Sequence, residues 1–320
     1  FLMPYLSGIT IYPVKSLDGI GLQEVSVLPC GALLNDRRWR LVDIEGDVVN
    51  AKKNVRFHAI RSTFHLEGAF SDSIKNLPHG QNMVTLSVDE RFAAENLQGH
   101  CQETFPLLPG RDGPCEWLSE VLAEKVFLQE RIDGGFPDDR DATGPTIIST
   151  ESLVEVASWF GLTLNEARRR FRMNLELSSD ENEKGMASQE SIPASTLPFW
   201  EDALACPAAI DALENPESEY LVDLAPVSPK SFWLGSVGMC TRGICRRCVV
   251  PSRDSLTGVV FKDFQAIFEA RRSHLLPVNV NARNWRDYFC LGLNTSIETI
   301  SENKLKIGDQ LCVGPPKSDA

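Results

Sequence analysis

The chain has 320 residues, of which 42% are hydrophobic and 24% charged, a profile typical of a folded globular protein with one large domain or two smaller ones. Its 44 acidic residues outnumber its 32 basic ones, for a net charge of -12. This balance argues against nonspecific nucleic-acid binding, which depends on Lys and Arg neutralising phosphates.

The nine cysteines are an odd number spread over a long chain. That usage disfavours a disulfide framework and predicts a reducing, cytoplasmic compartment. No apolar run in the sequence approaches the roughly 18 residues that a membrane span needs, and the first residues lack the basic region of a signal peptide. We therefore predict no membrane segment in this chain. An organellar or membrane-tethered location is the alternative if the natural N-terminus has been trimmed.

The first hundred residues predict strands. Apolar or β-branched residues alternate or dominate in GITIYPV (8–14), LQEVSVL (22–28) and MVTLSV (83–88). Between them, RRWRLVDIEGDVVNA (37–51) predicts a hairpin that turns at 45–47. The pattern indicates a β-rich, barrel-like N-terminal unit.

Helices are predicted further along the chain. The segment 114–126 places four apolar residues on one helical face: Trp117, Leu118, Val121 and Leu122. The segment 149–161 begins with hydroxyl residues, has Ser152 and Glu155 at capping-box spacing and ends at Gly161. Further helices are predicted at 163–171 and 262–272, and strands at 231–237, 287–294 and 306–313.

Three basic islands stand out against the acidic background. They are Lys15 with Arg37 and Arg38; Arg168, Arg169, Arg170 and Arg172; and Arg242, Arg246, Arg247 and Arg253. Each island taken alone would be interpreted as a solvated surface. Within the second island, Arg168 to Arg170 cannot all face the same side of a helix. Together they suggest a polyanionic ligand held between distant segments. Ser149 and Thr150, at a predicted helix start, would suit an anion or simply cap the helix.

Three cysteines form a C-x4-C-x2-C pattern, the spacing of a plant-type iron–sulfur loop. They are Cys240, Cys245 and Cys248. A two-iron two-sulfur electron carrier is therefore one alternative, although the fourth ligand would have to come from Cys290 or Cys312. In the other interpretation Cys240 and Cys245 are small buried residues, and chemistry is confined to Cys248.

Four segments together resemble the MOSC family, the C-terminal domains of molybdenum-cofactor sulfurases and their relatives. The run GITIYPVKSLDGIGLQEVSVLPCGALLNDRRWRLVDIEG resembles the family's N-terminal β-barrel. FRMNLEL, CRRCVVPSRDSLTG and YFCLGLN with LKIGDQLCV resemble later segments in the family's order. Within the family, the chain is most similar to the mitochondrial amidoxime-reducing component and its bacterial relatives.

The resemblance implies a β-rich α+β fold. An N-terminal β-barrel-like domain would occupy residues 1–125, and a MOSC β-barrel core with peripheral helices residues 126–315, with a loop-rich insertion at 178–230. The implied function is a molybdenum-cofactor-binding oxidoreductase that removes oxygen from small N-hydroxylated or N-oxide substrates. Its electrons would come from a separate donor, a b-type cytochrome or a ferredoxin with its reductase. Pyridoxal phosphate is not expected because no desulfurase domain precedes the resemblance. The alternative is a cofactor carrier or sulfur-handling protein without turnover of its own.

The resemblance also implies individual site residues. Cys248 would be the thiolate ligand of molybdenum and the catalytic residue, with Arg247 favouring its deprotonation. Asp254 is either a turn-forming residue or a proton carrier. The implied cofactor-binding residues are Lys15, Ser16, Arg37, Ser149, Thr150, Arg172, Asn174 and Arg247.

Overall fold

The fold is strand-rich, with four α-helices among the residues described. The computed structural model describes residues 4–66, 82–91, 102–110, 113–139, 142–179, 197–205, 231–275, 288–300 and 302–312. The strands are β1 (Tyr5–Ile11), β2 (Ile20–Leu22), β3 (Glu24–Ser26), β4 (Trp39–Val42), β5 (Val48–Val49), β6 (Ile60–His65), β7 (Met83–Val88), β8 (Glu103–Pro106), β9 (Phe127–Glu130), β10 (Ile147–Ser149), β11 (Leu175–Ser178), β12 (Ser231–Leu234), β13 (Val237–Arg246), β14 (Cys290–Ile300), β15 (Lys304–Lys306) and β16 (Leu311–Cys312). The helices are α1 (Cys115–Leu122), α2 (Thr150–Phe160), α3 (Leu164–Phe171) and α4 (Phe264–Arg272), with short 3-10 helices at Val55–Ala59, Trp200–Leu204 and Val250–Ser252.

The main sheet has eight strands in the order β16-β12-β13-β14-β10-β11-β1-β2. Only the β10–β11 pair is parallel among these neighbours. The β16 end returns to β1 through an antiparallel bridge between Tyr5 and Gln310 and through the Leu6 N–H, which donates to the Asp309 carbonyl at 2.8 Å. The strands from β16 to β1 thus form a ring joined by a bridge. No continuous ladder closes this ring among the described strands.

Smaller sheets tie early segments to late ones. Strand β3 pairs with β15, and β4 lies between β5 and β9. The β3–β15 and β4–β9 pairings, with β1–β11, cross the predicted division at residue 125. The predicted domain boundaries themselves stay a prediction.

Two hydrophobic clusters stabilise the fold. The larger one includes Trp39 and Phe232, both fully buried, together with the predicted apolar face of α1, whose four residues are all buried. The second cluster packs α2 and α3 against α4 through stacked aromatic rings, with the Phe160 and Phe264 centroids 4.0 Å apart. Burial of such apolar surface is the main stabilising contribution. The second cluster fixes α3 against the segments that form the functional site.

Most predicted elements are confirmed, including the hairpin at 45–47, where Gly46 has a φ of +87° and the Asp43 N–H donates to the Asp47 carbonyl at 2.9 Å. The predicted capping box is wrong. Ser149 caps α2 by accepting the Ser152 N–H, and the Glu155 carboxylate instead accepts the Trp159 indole N–H at 2.9 Å. Of the predicted insertion at 178–230, only 178–179 and 197–205 lie within the described residues.

The predicted strand-rich α+β fold class is confirmed by the sixteen strands and four helices of the described residues. None of the helices in the described part of the chain is both long and apolar enough to cross a bilayer.

Candidate functional site

A cavity of about 760 Å³ lies among the loops that follow β1, β9 and β13 and the C-terminal end of α3. Its described lining includes ten Lys or Arg residues and only four Asp residues, although the whole chain carries a net charge of -12. A cleft lined by one sign of charge focuses the electrostatic field and raises the local concentration of the opposite ion. The cavity is therefore suited to an anionic ligand.

The structure brings seven of the nine predicted site residues into this lining. These seven are Lys15, Ser16, Arg37, Arg172, Asn174, Arg247 and Cys248. They come from distant parts of the sequence and meet because β1 pairs directly with β11, and β13 joins the same sheet through β14 and β10. Their role in holding a cofactor stays a prediction.

Three of these residues have left-handed backbone conformations. The φ angle is 76° at Ser16, 49° at Arg37 and 53° at Arg172. For residues other than glycine this region costs about 1–2 kcal/mol, and such strain concentrates at ligand sites. Ser16 is held by a hydrogen bond in which its hydroxyl accepts the Ala51 N–H at 3.1 Å. The strain supports a functional role for this lining.

Lys15 and Arg37 share one carboxylate at the cavity. The Lys15 Nζ lies 2.7 Å from Asp138 and the Arg37 Nε 3.4 Å from it, while Arg37 also pairs with Asp36 at 2.5 Å. Burial by itself would lower the pKa of Arg37, but Asp36 and Asp138 raise it above the ordinary value. Because the Asp138 side chain is 65% exposed, an anionic group of a ligand could replace it beside these two cations.

The Asn174 side chain holds segments of the site together by hydrogen bonds. It is 2% exposed, and its Nδ2 donates to the Thr10 carbonyl at 3.0 Å. Its Oδ1 accepts from the Thr146 N–H at 3.2 Å, the Thr146 hydroxyl at 3.1 Å and the Arg37 guanidinium at 3.3 Å. With its side chain fully engaged, Asn174 positions Arg37 and joins β1 to the segment before β10.

The aromatic ring of Tyr12 packs against the guanidinium groups of two arginines. The guanidinium carbon of Arg172 lies 4.1 Å from the centroid of its ring and that of Arg37 5.5 Å, a favourable cation–π arrangement. The Tyr12 hydroxyl donates to the Met173 carbonyl at 3.3 Å, and burial raises the pKa of Tyr12 to about 12. Burial likewise lowers the pKa of Arg172 from its ordinary value. Tyr12 therefore supports the arginines as a neutral ring.

Five of the ten cavity cations have no carboxylate in ion-pair contact among the residues that the structure describes. They are Lys52, Arg169, Arg172, Arg247 and Arg253. The other five each pair with an Asp or Glu. As predicted, the arginines of α3 diverge, since Arg170 is buried and Arg169 exposed. Positive charge at the cavity thus exceeds what the described carboxylates neutralise.

The thiols of Cys245 and Cys248 both line the cavity. Arg247 was expected to assist Cys248, but its hydrogen bonds go elsewhere in the described structure. Its NH1 group donates to the Cys245 sulfur at 2.9 Å and to the Met173 sulfur at 3.4 Å, and its NH2 group donates to the Phe171 carbonyl. Cys245, and not Cys248, is therefore the thiol that Arg247 contacts directly.

The three cysteines of the iron–sulfur pattern do not converge. Cys240 is 2% exposed on β13 and is absent from the cavity lining formed by the described residues. Within the described ranges, no group of three or more His, Cys, Asp or Glu side chains is placed to hold a metal ion. The spacing of Cys240, Cys245 and Cys248 therefore does not create a three-thiol site in this structure.

Ser149 and Thr150 lie outside the described lining of the cavity. The Ser149 hydroxyl lies 2.7 Å from the Glu201 carboxylate, and Thr150 donates to Glu176 at 2.8 Å. The N-terminus of α2 thus already has a buried carboxylate, Glu201, at the place where a helix favours an anion. The two residues act as helix-terminal groups in this structure, and their binding of a cofactor stays a prediction.

Asp254 forms a turn. Its carboxylate accepts the Leu256 and Thr257 N–H groups at 3.1 and 2.8 Å and the Thr257 hydroxyl at 2.8 Å. Burial alone would raise the pKa of Asp254, but these hydrogen bonds lower it. A carboxylate held in this way is suited to organising the loop, in agreement with the turn-forming alternative.

Sequence reasoning missed Tyr12, His58 and Asp138 as cavity residues. Tyr12 could have been inferred from its position three residues before Lys15. His58 lies in a segment that Arg61 and Arg253 join to the loop at 250–255 by hydrogen bonds, and no local pattern in the sequence predicts such long-range contacts.

A comparison with known families gives a match over residues 3–125 to the model described as the MOSC N-terminal beta barrel domain. This segment supplies Lys15, Ser16 and Arg37 to the cavity. Residues 3–125 are thus similar to the MOSC N-terminal beta barrel domain. The match confirms the MOSC resemblance recognised in the N-terminal segment. The likeness to the amidoxime-reducing component stays a prediction, and Cys248 lies beyond the matched residues.

No curated protein matches the chain. Among solved structures, a similar one is the crystal structure of the YuaD protein from Bacillus subtilis, with 9% identity and a TM-score of 0.32 over 97% of this chain and 94% of that one. Those values are too low to carry over details of fold or function.

Proposed function

We propose that this MOSC-domain chain binds molybdenum cofactor in the cationic cavity and reduces small N-hydroxylated or N-oxide compounds. The observation that supports this proposal is the Cys248 thiol in a cavity that also holds Arg172 and Arg247, two cations without a described carboxylate partner. Association of MOSC domains with molybdenum-cofactor proteins makes this the ligand to test.

The donor set fits the cofactor. A thiolate is a soft ligand suited to a metal already held by sulfur atoms, and Cys248 supplies it. Phosphate needs Lys or Arg charge with neighbouring hydroxyl donors, and Lys15, Ser16 and Arg37 supply those at one side of the cavity. When bound, the cofactor would supply the two-electron chemistry by which an N–OH group and two protons become N–H and water.

The chain's own residues would bind the cofactor and orient it. Cys248 would anchor the metal, Arg172 would face the anionic parts of the cofactor from its platform on Tyr12, and Asn174 would keep Arg37 in place. Two electrons per turnover would come from a separate donor, a b-type cytochrome or a ferredoxin with its reductase. The seven described cysteines are all free, which supports a reducing, cytoplasmic setting.

The first test compares molybdenum and pterin content in wild type, Cys248→Ala and Cys30→Ala, expressed in a host that makes the cofactor. Cys30 is an exposed thiol outside the described cavity lining and serves as the matched control. We expect near-stoichiometric molybdenum in wild type and control. Cys248→Ala should lose at least about 90% of the metal and the reductase activity, since a thiolate ligand is removed.

Three outcomes would contradict the proposal in different ways. Full reductase activity in Cys248→Ala would remove Cys248 from the site. Cofactor that passes readily to an apo-molybdoenzyme, without reduction of any N-hydroxylated compound, would favour the carrier alternative. Iron with acid-labile sulfide in place of molybdenum would restore the electron-carrier alternative.

A further inference from the structure

The cavity has a second cationic wall that the family resemblance leaves without a ligand. It is built by three segments: residues 50–61, helix α3, and the loop at 250–255. We refer to it as the Lys52 wall. Its cations without a described carboxylate partner are Lys52, Arg169 and Arg253. The residues predicted to hold the cofactor come from other segments.

Charged hydrogen bonds hold the three segments of the Lys52 wall together. The Arg253 guanidinium donates to the Ala51 carbonyl at 2.5 Å and to the Lys52 carbonyl at 3.4 Å. The Glu166 carboxylate on α3 accepts the Ser255 N–H at 2.9 Å and the Ser255 hydroxyl at 2.5 Å. The wall is therefore preorganised, which lowers the entropic cost of binding a ligand.

Lys52, Arg169 and Arg253 make no ion pair with a described carboxylate. Arg253 gives its described hydrogen bonds to uncharged carbonyls, and the exposed side chains of Lys52 and Arg169 make no hydrogen bond or ion pair within the described residues. By contrast, neighbouring Arg61 is paired with Asp18 at 2.9 Å and Arg170 with Glu166 at 2.6 Å. Three cations without a described carboxylate partner on one wall form an oxyanion-binding surface.

His58 provides independent support for anion binding at the Lys52 wall. It is 7% exposed, lines the cavity, and has a buried Nε2 atom without a partner. Burial lowers the pKa of His58 to about 4, against a hydrogen bond to the Ser255 carbonyl, and Arg253, Arg61 and Arg172 lower it further. The ring is thus kept neutral next to three cations. An oxyanion bound there would oppose this electrostatic effect, and on protonation of the ring the Nε2 atom, an acceptor in the neutral form, would become an N–H donor to it.

We propose that the Lys52 wall binds a carboxylate or phosphate group of the substrate, so that the preferred N-hydroxylated substrates carry an anionic group. This inference rests on the proposed reductase function for the reaction, but the binding of the anionic group is a separate property. The three cations would select against neutral analogues of the same size, because only the anionic substrate gains charge-assisted hydrogen bonds.

The test uses the holoenzyme with a chemical electron donor and two substrates, benzamidoxime and its 4-carboxylate derivative. The informative variant is Lys52→Gln/Arg169→Gln, since neither side chain makes a described contact on which folding would depend. The control variant is Arg246→Gln/Lys262→Gln, which removes the same charge from two exposed residues outside the described lining. Arg253 is left intact because it joins two loops.

We expect the Lys52→Gln/Arg169→Gln variant to raise KM for the carboxylate substrate about tenfold. The KM for benzamidoxime, kcat and the molybdenum content should stay at wild-type values, and the control variant should change none of them. Equal effects on both substrates, or an equal effect of the control variant, would overturn the subsite. Loss of molybdenum in the informative variant would also overturn it, because the wall would then belong to the cofactor site.

Calorimetric binding of the 4-carboxylate probe separates this proposal from the proposed reaction. Binding that is weakened in the informative variant, with no turnover of either substrate, would refute the reductase function and leave the subsite standing. Turnover of both substrates with equal probe affinity in all variants would refute the subsite and leave the reductase function standing.

Discussion

At the scale of single residues, the predicted cofactor-binding residues divide by how their polar atoms are used. Arg172 stacks on Tyr12 without a described carboxylate partner, so its charge is available to a ligand. Asn174 is buried and has both amide atoms engaged. One motif can therefore supply a residue that contacts a ligand and another that positions the first.

Asn174→Ala tests the positioning role. The substitution leaves the partly buried Thr10 carbonyl and Thr146 N–H without the Asn174 partners they have now, so we expect the free energy of unfolding to fall by about 2–3 kcal/mol. Urea unfolding measures this change in the free energy of unfolding. As a control, Asn165→Ala removes an exposed amide whose described side-chain hydrogen bond is one accepted from Arg168 at 3.1 Å, and it should change stability by less than about 0.5 kcal/mol. If the two variants lowered the free energy of unfolding equally, the positioning role of Asn174 would be contradicted.

At the scale of elements, the start of α2 is explained by a residue far away in the sequence. Ser149 caps the helix, and its hydroxyl and that of Ser152 both lie close to the Glu201 carboxylate, at 2.7 and 2.8 Å. Glu201 belongs to the short helix Trp200–Leu204. The cap therefore couples α2 to a segment within the predicted insertion.

Ser149→Ala distinguishes a cap from a cofactor ligand. As a buried cap that also interacts with Glu201, Ser149 should contribute about 1–2 kcal/mol to the free energy of unfolding, with molybdenum content unchanged. Thr163→Ala, at the exposed cap of α3, should cost less. The measurements are urea unfolding and metal analysis. Unchanged stability with loss of molybdenum would show that the role carried over from the family is the correct one.

Local patterns predict much of this fold and less of its site. The hairpin at 45–47, the apolar face of α1 and the stop of α2 at Gly161 depend on neighbouring residues and are present in the structure. The capping box of Ser152 and Glu155 was predicted wrongly, whereas the alternative in which Ser149 caps α2 is confirmed. The contact of Ser149 with Glu201 spans 52 residues, so no local pattern could predict it. Likewise, spacing alone could not show that Cys240 turns away from the cavity while Cys245 contacts Arg247.

At the scale of the whole molecule, two buried titratable groups give opposing pH dependences. Burial, with the neighbouring Asp202, raises the pKa of Glu201 to about 7 from 4.5, so stability present below pH 4.5 is lost as pH rises to about 7. Burial and three arginines lower the pKa of His58 to about 4 from 6.5, so stability present above pH 6.5 is lost as pH falls towards 4. Between pH 5 and 7 the two contributions partly cancel.

Removing one group at a time should therefore reveal slopes of opposite sign. Glu201→Gln keeps the shape but cannot ionise, so its free energy of unfolding should increase from pH 5 to 7 relative to wild type, by on the order of 3 kcal/mol at most. His58→Gln should decrease over the same range, because only the Glu201 contribution remains. Urea unfolding at pH 5, 6 and 7 measures both, with the double variant as the control that should be nearly flat. Parallel curves for wild type and both single variants would mean that neither buried group titrates in this window, and the neutral states assigned to Glu201 and His58 would then be wrong.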